Sequence, residues 1–246
     1  MSDPAQDHAS KPATFVLVHG AWHGGWCWRR VADRLTERGH RVFTPTLTGL
    51  GERSHLADRS IDLDTHIRDI VNVLKWEELT DVVLCGHSYG GMVISGVAEA
   101  APAGAIGSIV FLDAFVPEDG RSLFDYTAVE GAEGLEMARI GRETGMVAPI
   151  PAEVFNVNPA DRAWVDAQCT PQSYNCFTQR LRLTGARERI ARKAYILATG
   201  YSGLQFPTFA AKLKADPAWR YYEVPCGHDV MLDAPDRLAD ILEEAA

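Results

Sequence analysis

The chain has 246 residues and a formal net charge of −9, with 46% hydrophobic and 23% charged residues. This size and balance are typical of one globular domain that can bury a sizeable core. The negative charge argues against nucleic acid or an anionic membrane surface as a partner, and no apolar run approaches the ~20 residues that cross a bilayer.

The amino terminus and the cysteines carry no sign of export. Residues 1–12 are polar and lack the basic and apolar regions of a signal peptide, so they predict a flexible tail. The five cysteines are an odd number without metal-type spacing, which predicts reduced thiols, no bound metal and a cytoplasmic location. Cys169 and Cys176 are expected to pair only in an oxidising compartment.

Apolar runs typical of buried strands alternate with helical patterns along most of the chain. The predicted strands cover 14–19, 40–45, 82–85, 107–112, 193–199 and 219–224, and the predicted helices cover roughly 27–38, 63–76, 90–101, 207–214 and 238–245. Asp62 or Asp64 is the expected N-cap of the second helix. Because the strands are continuously apolar, we predict an α/β fold with a mostly parallel sheet covered by helices on both faces.

Residues 118–192 interrupt this alternation without a strand-like run. A structureless loop of that length is improbable in a compact domain, so we predict a helical lid inserted after the strand that ends at Asp113. The core then comprises 13–117 and 193–246. A few large lid residues are expected to face a pocket, while the others form the lid's own core: Phe124, Tyr126, Met137, Phe155, Trp164, Phe177 and Leu181.

The segment 81–94 joins a buried strand directly to a helix through the pattern Gly86-His87-Ser88-Tyr89-Gly90. A turn this sharp strains the backbone of its apex residue and crowds the flanking positions, where glycines avoid a clash. The apex Ser88 hydroxyl then projects above the sheet beside a helix N-terminus. This context favours a nucleophile elbow over an ordinary glycine-rich turn.

A serine hydroxyl is a weak nucleophile until a base accepts its proton and a third group orients that base. His228 follows the last predicted strand, at the carboxyl end of the sheet, and is the expected base. Simpler explanations suffice for the other histidines along the chain. A solvated or structural role is expected where they fall in loops or on helix surfaces, at His23, His40, His55 and His66.

The expected acid is Asp113. In this kind of fold the acid most often follows the penultimate strand, but no Asp or Glu occurs between Glu188 and Asp216. Asp113 ends the apolar run 107–112 and needs a partner if it is buried, which His228 can supply. The alternative is an aspartate that caps the following turn.

Two backbone N–H groups are candidates for an oxyanion hole. One belongs to Tyr89, directly after the nucleophile, and the other belongs to Ala21 in the glycine-rich loop after the first strand. If the glycines of that loop serve only to let the chain turn, the N–H of Tyr89 is the one remaining oxyanion donor.

The segments 19–26 (HGAWHGGW), 86–91 (GHSYGG) and Gly227-His228 resemble the α/β-hydrolase superfamily. More narrowly, they resemble the small branch of plant methylesterases, hydroxynitrile lyases and related bacterial esterases. The lyases carry Thr at the position of Gly20 and Lys at the position of Asp229, so the resemblance disfavours lyase chemistry. The plant members keep the acid after the penultimate strand, whereas Asp113 resembles the shifted acid of some haloalkane dehalogenases. Those enzymes use an Asp nucleophile, which Ser88 excludes.

Together these features predict a cofactor-independent serine carboxylesterase for a small-to-medium apolar ester. Trp22 and Phe115 are expected to border the substrate. The alternatives are a lyase or thioesterase that uses the same triad, or a small-molecule receptor built on a hydrolase fold. A homodimer is left open.

Overall fold

The computed structural model describes residues 11–127 and 132–246. The strands are β1 (Thr14–Val18), β2 (Arg41–Phe43), β3 (Val82–His87), β4 (Ile106–Leu112), β5 (Met146–Val147), β6 (Gln172–Ser173), β7 (Arg192–Ala198) and β8 (Arg220–Val224). The helices are α1 (Arg29–Glu37), α2 (Leu63–Trp76), α3 (Gly90–Ala100), α4 (Ala132–Thr144), α5 (Arg162–Gln168), α6 (Asn175–Thr178), α7 (Phe206–Lys214), α8 (Val230–Asp233) and α9 (Pro235–Glu244). No helix in this part of the chain is long and apolar enough to cross a membrane.

Six strands form one sheet in the order β2-β1-β3-β4-β7-β8, and every neighbouring pair is parallel. All six residues of the central strand β3 are buried, as expected for a strand covered on both faces. The α/β prediction is confirmed. The strand order reverses between β1 and β3, and such a switch point is where open α/β sheets place their ligand sites.

Helix α2 begins where the sequence predicted. Asp62 is the N-cap, and its Oδ1 accepts the backbone N–H of Thr65 at 2.8 Å. Asp64 lies in the first turn with its side chain exposed, and it is not the cap. Leu63, Ile67 and Ile70 lie on the buried face of the helix.

Two strand predictions differ from the structure. The strand predicted over 40–45 is reduced to the three residues of β2, which lies at the edge of the sheet and ends before Pro45. Proline has no backbone N–H to continue a ladder. The segment 118–192 contains the antiparallel pair β5 and β6, although no strand-like run was expected there. Strands of two residues are too short to produce an alternating pattern.

Two predicted segments extend beyond the described residues. The tail 1–12 falls outside them except for residues 11 and 12, and the segment 118–192 is described apart from 128–131. Within that segment, Arg30 of α1 binds Asp161 through both carboxylate oxygens, at 2.6 and 2.8 Å. The ion pair joins the segment to the core.

Replacing Asp62 by Ala should destabilise the protein by about 1 kcal/mol, because the Thr65 N–H loses its acceptor. In a chain of this size this lowers the melting temperature by about 2–4 °C. Asp64→Ala is the matched control, because it removes only a favourable charge near the helix N-terminus and should cost less than ~0.5 kcal/mol. Equal losses for both variants in thermal unfolding would contradict the capping assignment.

Candidate active site

Ser88 occupies the turn between β3 and α3 with a φ of 53°, in the left-handed region that non-glycine residues rarely adopt. Its neighbours must be glycines. A Cβ on Gly86 would lie 2.6 Å from the Gly90 carbonyl oxygen, and a Cβ on Gly90 would lie 2.8 Å from the Val18 carbonyl oxygen. Strand, turn and helix are therefore packed too closely for any other residue at these positions.

Asp113 and His228 are joined by a hydrogen bond of 2.6 Å from Nδ1 to Oδ2. The Asp113 side chain is fully buried, and its second oxygen accepts the Ala198 N–H at 3.2 Å. Burial raises the pKa of Asp113, while the hydrogen bond from His228 opposes that shift. With Nδ1–H directed at a carboxylate, the Nε2 of His228 is left free to accept a proton.

Aromatic rings fix the orientation of the His228 ring. Phe206 stacks on it at 5.1 Å between ring centroids, with an interplanar angle of 12°. Phe155 and Tyr201 lie 5.3 and 5.0 Å away, and both also line the cavity that contains Ser88. His228 is therefore next to the cavity, although the Ser88 hydroxyl makes no hydrogen bond to any described residue.

The two expected oxyanion donors are available. The N–H groups of Ala21 and Tyr89 have no acceptor among the described residues, whereas the N–H of Trp22 donates to Gln172 Oε1 at 3.0 Å. Ala21 and Tyr89 both line the same cavity as Ser88. An oxyanion formed there can use the two free donors without breaking an existing bond.

His19, for which the sequence suggested no special role, holds the peptide that carries the Ala21 N–H. Its Nδ1 donates to the Gly20 carbonyl at 2.8 Å, and its Nε2 accepts the Leu47 N–H at 3.0 Å. Burial lowers the pKa of His19 to about 3, so the ring is neutral, as this donor and acceptor pattern requires.

A solvated or structural role was expected for four histidines: His23, His40 and His66 are buried and hydrogen-bonded, which is a structural role, whereas His55 is exposed. The Tyr89 hydroxyl donates to His66 Nδ1 at 2.9 Å, and His66 Nε2 donates to the Thr48 carbonyl at 3.0 Å. Helical spacing contained this information, since His66 falls on the same face of α2 as Leu63, Ile67 and Ile70.

A cavity of about 210 Å³ opens over Ser88. The core contributes Ala21, Trp22, Ser88, Tyr89, Phe115, Tyr201 and Leu204, and the segment 118–192 contributes Leu123, Phe124, Thr127, Met137, Ile150, Val154, Phe155 and Phe177. No charged side chain lines the cavity in the described part of the chain. Trp22 and Phe115, predicted to border the substrate, both belong to this lining. Of the seven lid residues named from the sequence, four line the cavity: Phe124, Met137, Phe155 and Phe177. Tyr126, Trp164 and Leu181 do not line it.

Trp22 connects the glycine-rich loop to the segment above it. Its indole Nε1 donates to the Val147 carbonyl in β5 at 3.1 Å, and its ring lies 5.8 Å from that of Phe177. The aromatic wall of the cavity is therefore shared between core and insertion.

Residues 15–241 match the alpha/beta hydrolase family, and the chain belongs to that family. It is 46% identical to a carbendazim hydrolyzing esterase from Nocardioides sp. (strain SG-4G), over 94% of this chain and 98% of that protein. It is 28% identical to an alpha-hydroxynitrile lyase from Arabidopsis thaliana, over 94% and 96% of the two chains. An extracellular alpha/beta-hydrolase from a Paenibacillus species has a similar structure, with a TM-score of 0.80, 27% identity and coverage of 96% and 99%. The chain is a carboxylic ester hydrolase.

The structure shows the surroundings of Gly20 and Asp229, the two positions at which a difference from the lyases was expected. A Cβ on Gly20 would lie 2.9 Å from His87 Nδ1 and 3.1 Å from the Ser88 Cβ, so a threonine has no room there. Asp229 is fully buried, and its carboxylate contacts His23 and not the cavity.

Asp113→Asn should lower kcat by ~10,000-fold, because an amide neither stabilises an imidazolium nor keeps the required tautomer of His228. Asp161→Asn is the matched control, since it neutralises an ion-paired carboxylate outside the cavity and should retain full turnover. Steady-state kinetics on one ester compare the two variants, with circular dichroism to verify folding. Near-full activity of Asp113→Asn would exclude Asp113 as the acid.

Proposed function

We propose that the protein is a serine carboxylesterase that hydrolyses small, uncharged, apolar esters through an acyl-enzyme on Ser88. The observation that carries this proposal is the uncharged cavity of about 210 Å³ over Ser88, beside the hydrogen-bonded pair of Asp113 and His228. Aromatic rings and one nucleophilic hydroxyl are suited to a neutral ester and offer no counter-charge to an ionic one.

In the proposed mechanism, Ser88 Oγ attacks the acyl carbon while His228 Nε2 accepts the hydroxyl proton. The carbonyl oxygen becomes an oxyanion that the N–H groups of Ala21 and Tyr89 stabilise. As the intermediate collapses, His228 returns the proton to the departing alcohol and leaves an acyl group on Ser88. Water then repeats the sequence, giving up its proton to His228, and the carboxylic acid leaves with Ser88 restored.

The size of the cavity supports a small substrate. Its volume of about 210 Å³ is below the ~300–1,000 Å³ of typical drug-sized sites. The 46% identical relative is named for hydrolysing carbendazim. Chemically, carbendazim is a methyl carbamate on a flat benzimidazole ring. A flat, neutral, aromatic carbamate suits a cavity with walls that include Trp22, Phe177 and Phe155, so carbendazim is a test substrate beside simple esters.

The lyase alternative receives less support. In the described part of the chain no lysine or arginine lines the cavity, so a departing anion has no cation to stabilise it. Thioesters of small acyl groups are further expected substrates, because the same acyl transfer to Ser88 cleaves them.

The purified protein should hydrolyse p-nitrophenyl acetate and butyrate with kcat/KM at least ~10-fold higher than for the dodecanoate, because a long chain exceeds the cavity. Ser88→Ala should reduce turnover by on the order of a million-fold, as loss of a serine nucleophile does. Initial rates at several ester concentrations measure both effects.

Ser108→Ala is the matched control. Ser108 is a buried serine in β4, and its hydroxyl has no hydrogen-bond partner among the residues that the structure describes, so its removal should leave kcat unchanged. Full activity of Ser88→Ala, or a wild type inert on every ester and on carbendazim, would contradict the proposed function.

A further inference from the structure

Both ring nitrogens of His23 contact hydrogen-bond acceptors. Nδ1 lies 2.8 Å from the Ala21 carbonyl oxygen, and Nε2 lies 3.1 Å from Asp229 Oδ2. His23 is 4% exposed and Asp229 is not exposed at all, so water does not substitute for either bond. The Trp26 ring stacks on the outer side of His23, at 5.1 Å and 18°.

Other buried histidines with two hydrogen bonds pair one donor with one acceptor. The second nitrogen of His19, His40 and His66 accepts, respectively, from the Leu47 N–H, the Ala13 N–H and the Tyr89 hydroxyl. A neutral imidazole satisfies each of these patterns. His23 differs, because its two bonds require a proton on each nitrogen unless Asp229 itself carries one.

The shared proton belongs on His23. Free imidazole has a pKa of about 6.5 and a free aspartic acid about 3.9, so a proton placed between them favours the ring. Burial alone lowers the pKa of His23, but the adjacent Asp229 carboxylate outweighs it and raises the pKa. Burial likewise opposes the charge on Asp229, yet His23 holds the pKa of that carboxyl well below its usual range.

Further titratable groups surround the pair. His87 Nε2 lies 3.8 Å from Asp229 Oδ1 and donates to the His228 carbonyl at 3.0 Å, so its single proton is already used. The groups that interact electrostatically with the pair are His19, His87, His228, Asp113, Tyr201, Cys27, Cys169 and Cys226.

We propose that the His23 imidazolium and the Asp229 carboxylate form a buried ion pair that positions the oxyanion loop relative to the base. The proposal rests on the proposed esterase function, and both are positioning residues. His23 Nδ1–H fixes the carbonyl of Ala21, whose N–H is an oxyanion donor. Asp229 follows His228 directly in the chain. The pair therefore connects the loop after β1 with the loop after β8, at the carboxyl end of the sheet, where Ser88 lies.

The kinetic test compares the wild type with His23→Gln and Asp229→Asn on p-nitrophenyl acetate. We expect kcat to fall by about 10–100-fold, a fraction of the ~100–1,000-fold that loss of an oxyanion donor causes, while KM changes less than ~3-fold. We expect kcat to change more than KM because the oxyanion exists only after attack by Ser88 and not in the bound substrate. A purely structural defect would reduce the amount of folded enzyme and so lower the apparent kcat at constant KM, so kcat is calculated per mole of folded enzyme, with the folded fraction measured by circular dichroism.

The matched control is the pair of His40 and Glu243, another buried histidine with a carboxylate partner, at 2.6 Å. His40 precedes β2 and Glu243 lies near the end of α9, at the opposite end of the sheet from Ser88. His40→Gln and Glu243→Gln should lower the melting temperature and leave kcat of the folded enzyme unchanged.

A spectroscopic measurement reads the charge of His23 directly. The protein is labelled with ¹⁵N-histidine, and the His23 resonances are assigned as those that are present in the wild type and absent from His23→Gln. At neutral pH these resonances should show a proton on each ring nitrogen. In Asp229→Asn the same ring should become neutral, since its counter-charge is gone.

Three outcomes overturn the proposal. These are a neutral His23 in wild type, an unchanged kcat in both folded site variants, or an equal loss of kcat in the His40 and Glu243 controls. Should the wild type hydrolyse no ester, the proposed function fails, and the nitrogen resonances alone decide whether the ion pair exists. Should the wild type be active and His23 neutral, only the ion pair fails.

Discussion

The arrangement of this site depends on one buried carboxylate. Asp113 has no exposed surface, so burial disfavours its charged form, and an unpaired charge in such a position costs a folded protein about 3–5 kcal/mol. Two donors from different strands remove that cost, namely the Ala198 N–H of β7 and the Nδ1–H of His228 beyond β8. Because Asp113 directly follows β4, its bonds bring the ends of three neighbouring strands together beside the turn that carries Ser88.

The sheet was predictable because its central strands β1, β3 and β4 are largely buried and are therefore mostly apolar. Ser88 and His228 were also within reach of the sequence, since tight glycine spacing and position after a strand are local properties. The short strands β5 and β6 could not be predicted, because two residues are too few to show an alternating pattern of apolar and polar side chains. The buried state of His23 depends on Asp229, which lies 206 positions away in the chain and which no local pattern connects to it. His66 is an intermediate case, because its position on the apolar face of α2 could have predicted that it is buried.

The walls of the cavity were the least predictable part. More than half of its lining residues come from the segment 118–192. Contacts between distant parts of the chain hold this segment against the core, such as the hydrogen bond from Trp22 to the Val147 carbonyl in β5. The sequence predicted a helical lid for this segment but gave no means to separate Phe155 and Phe177, which face the cavity, from Trp164, which packs against Trp26. An uncharged, largely aromatic wall beside Ser88 and His228 is consistent with the neutral ester that we propose as substrate.

We propose that Ser88 is the nucleophile and that His228 and Asp113 activate it. Labelling with a small alkyl phosphonofluoridate tests it most directly, because Ser88 Oγ would form a bond to phosphorus as fluoride leaves. Intact mass and peptide mapping should show one phosphonyl group, on the peptide that contains Ser88, with labelling slowed strongly in Asp113→Asn. A label on another residue, or equal labelling rates in the wild type and Asp113→Asn, would contradict the account.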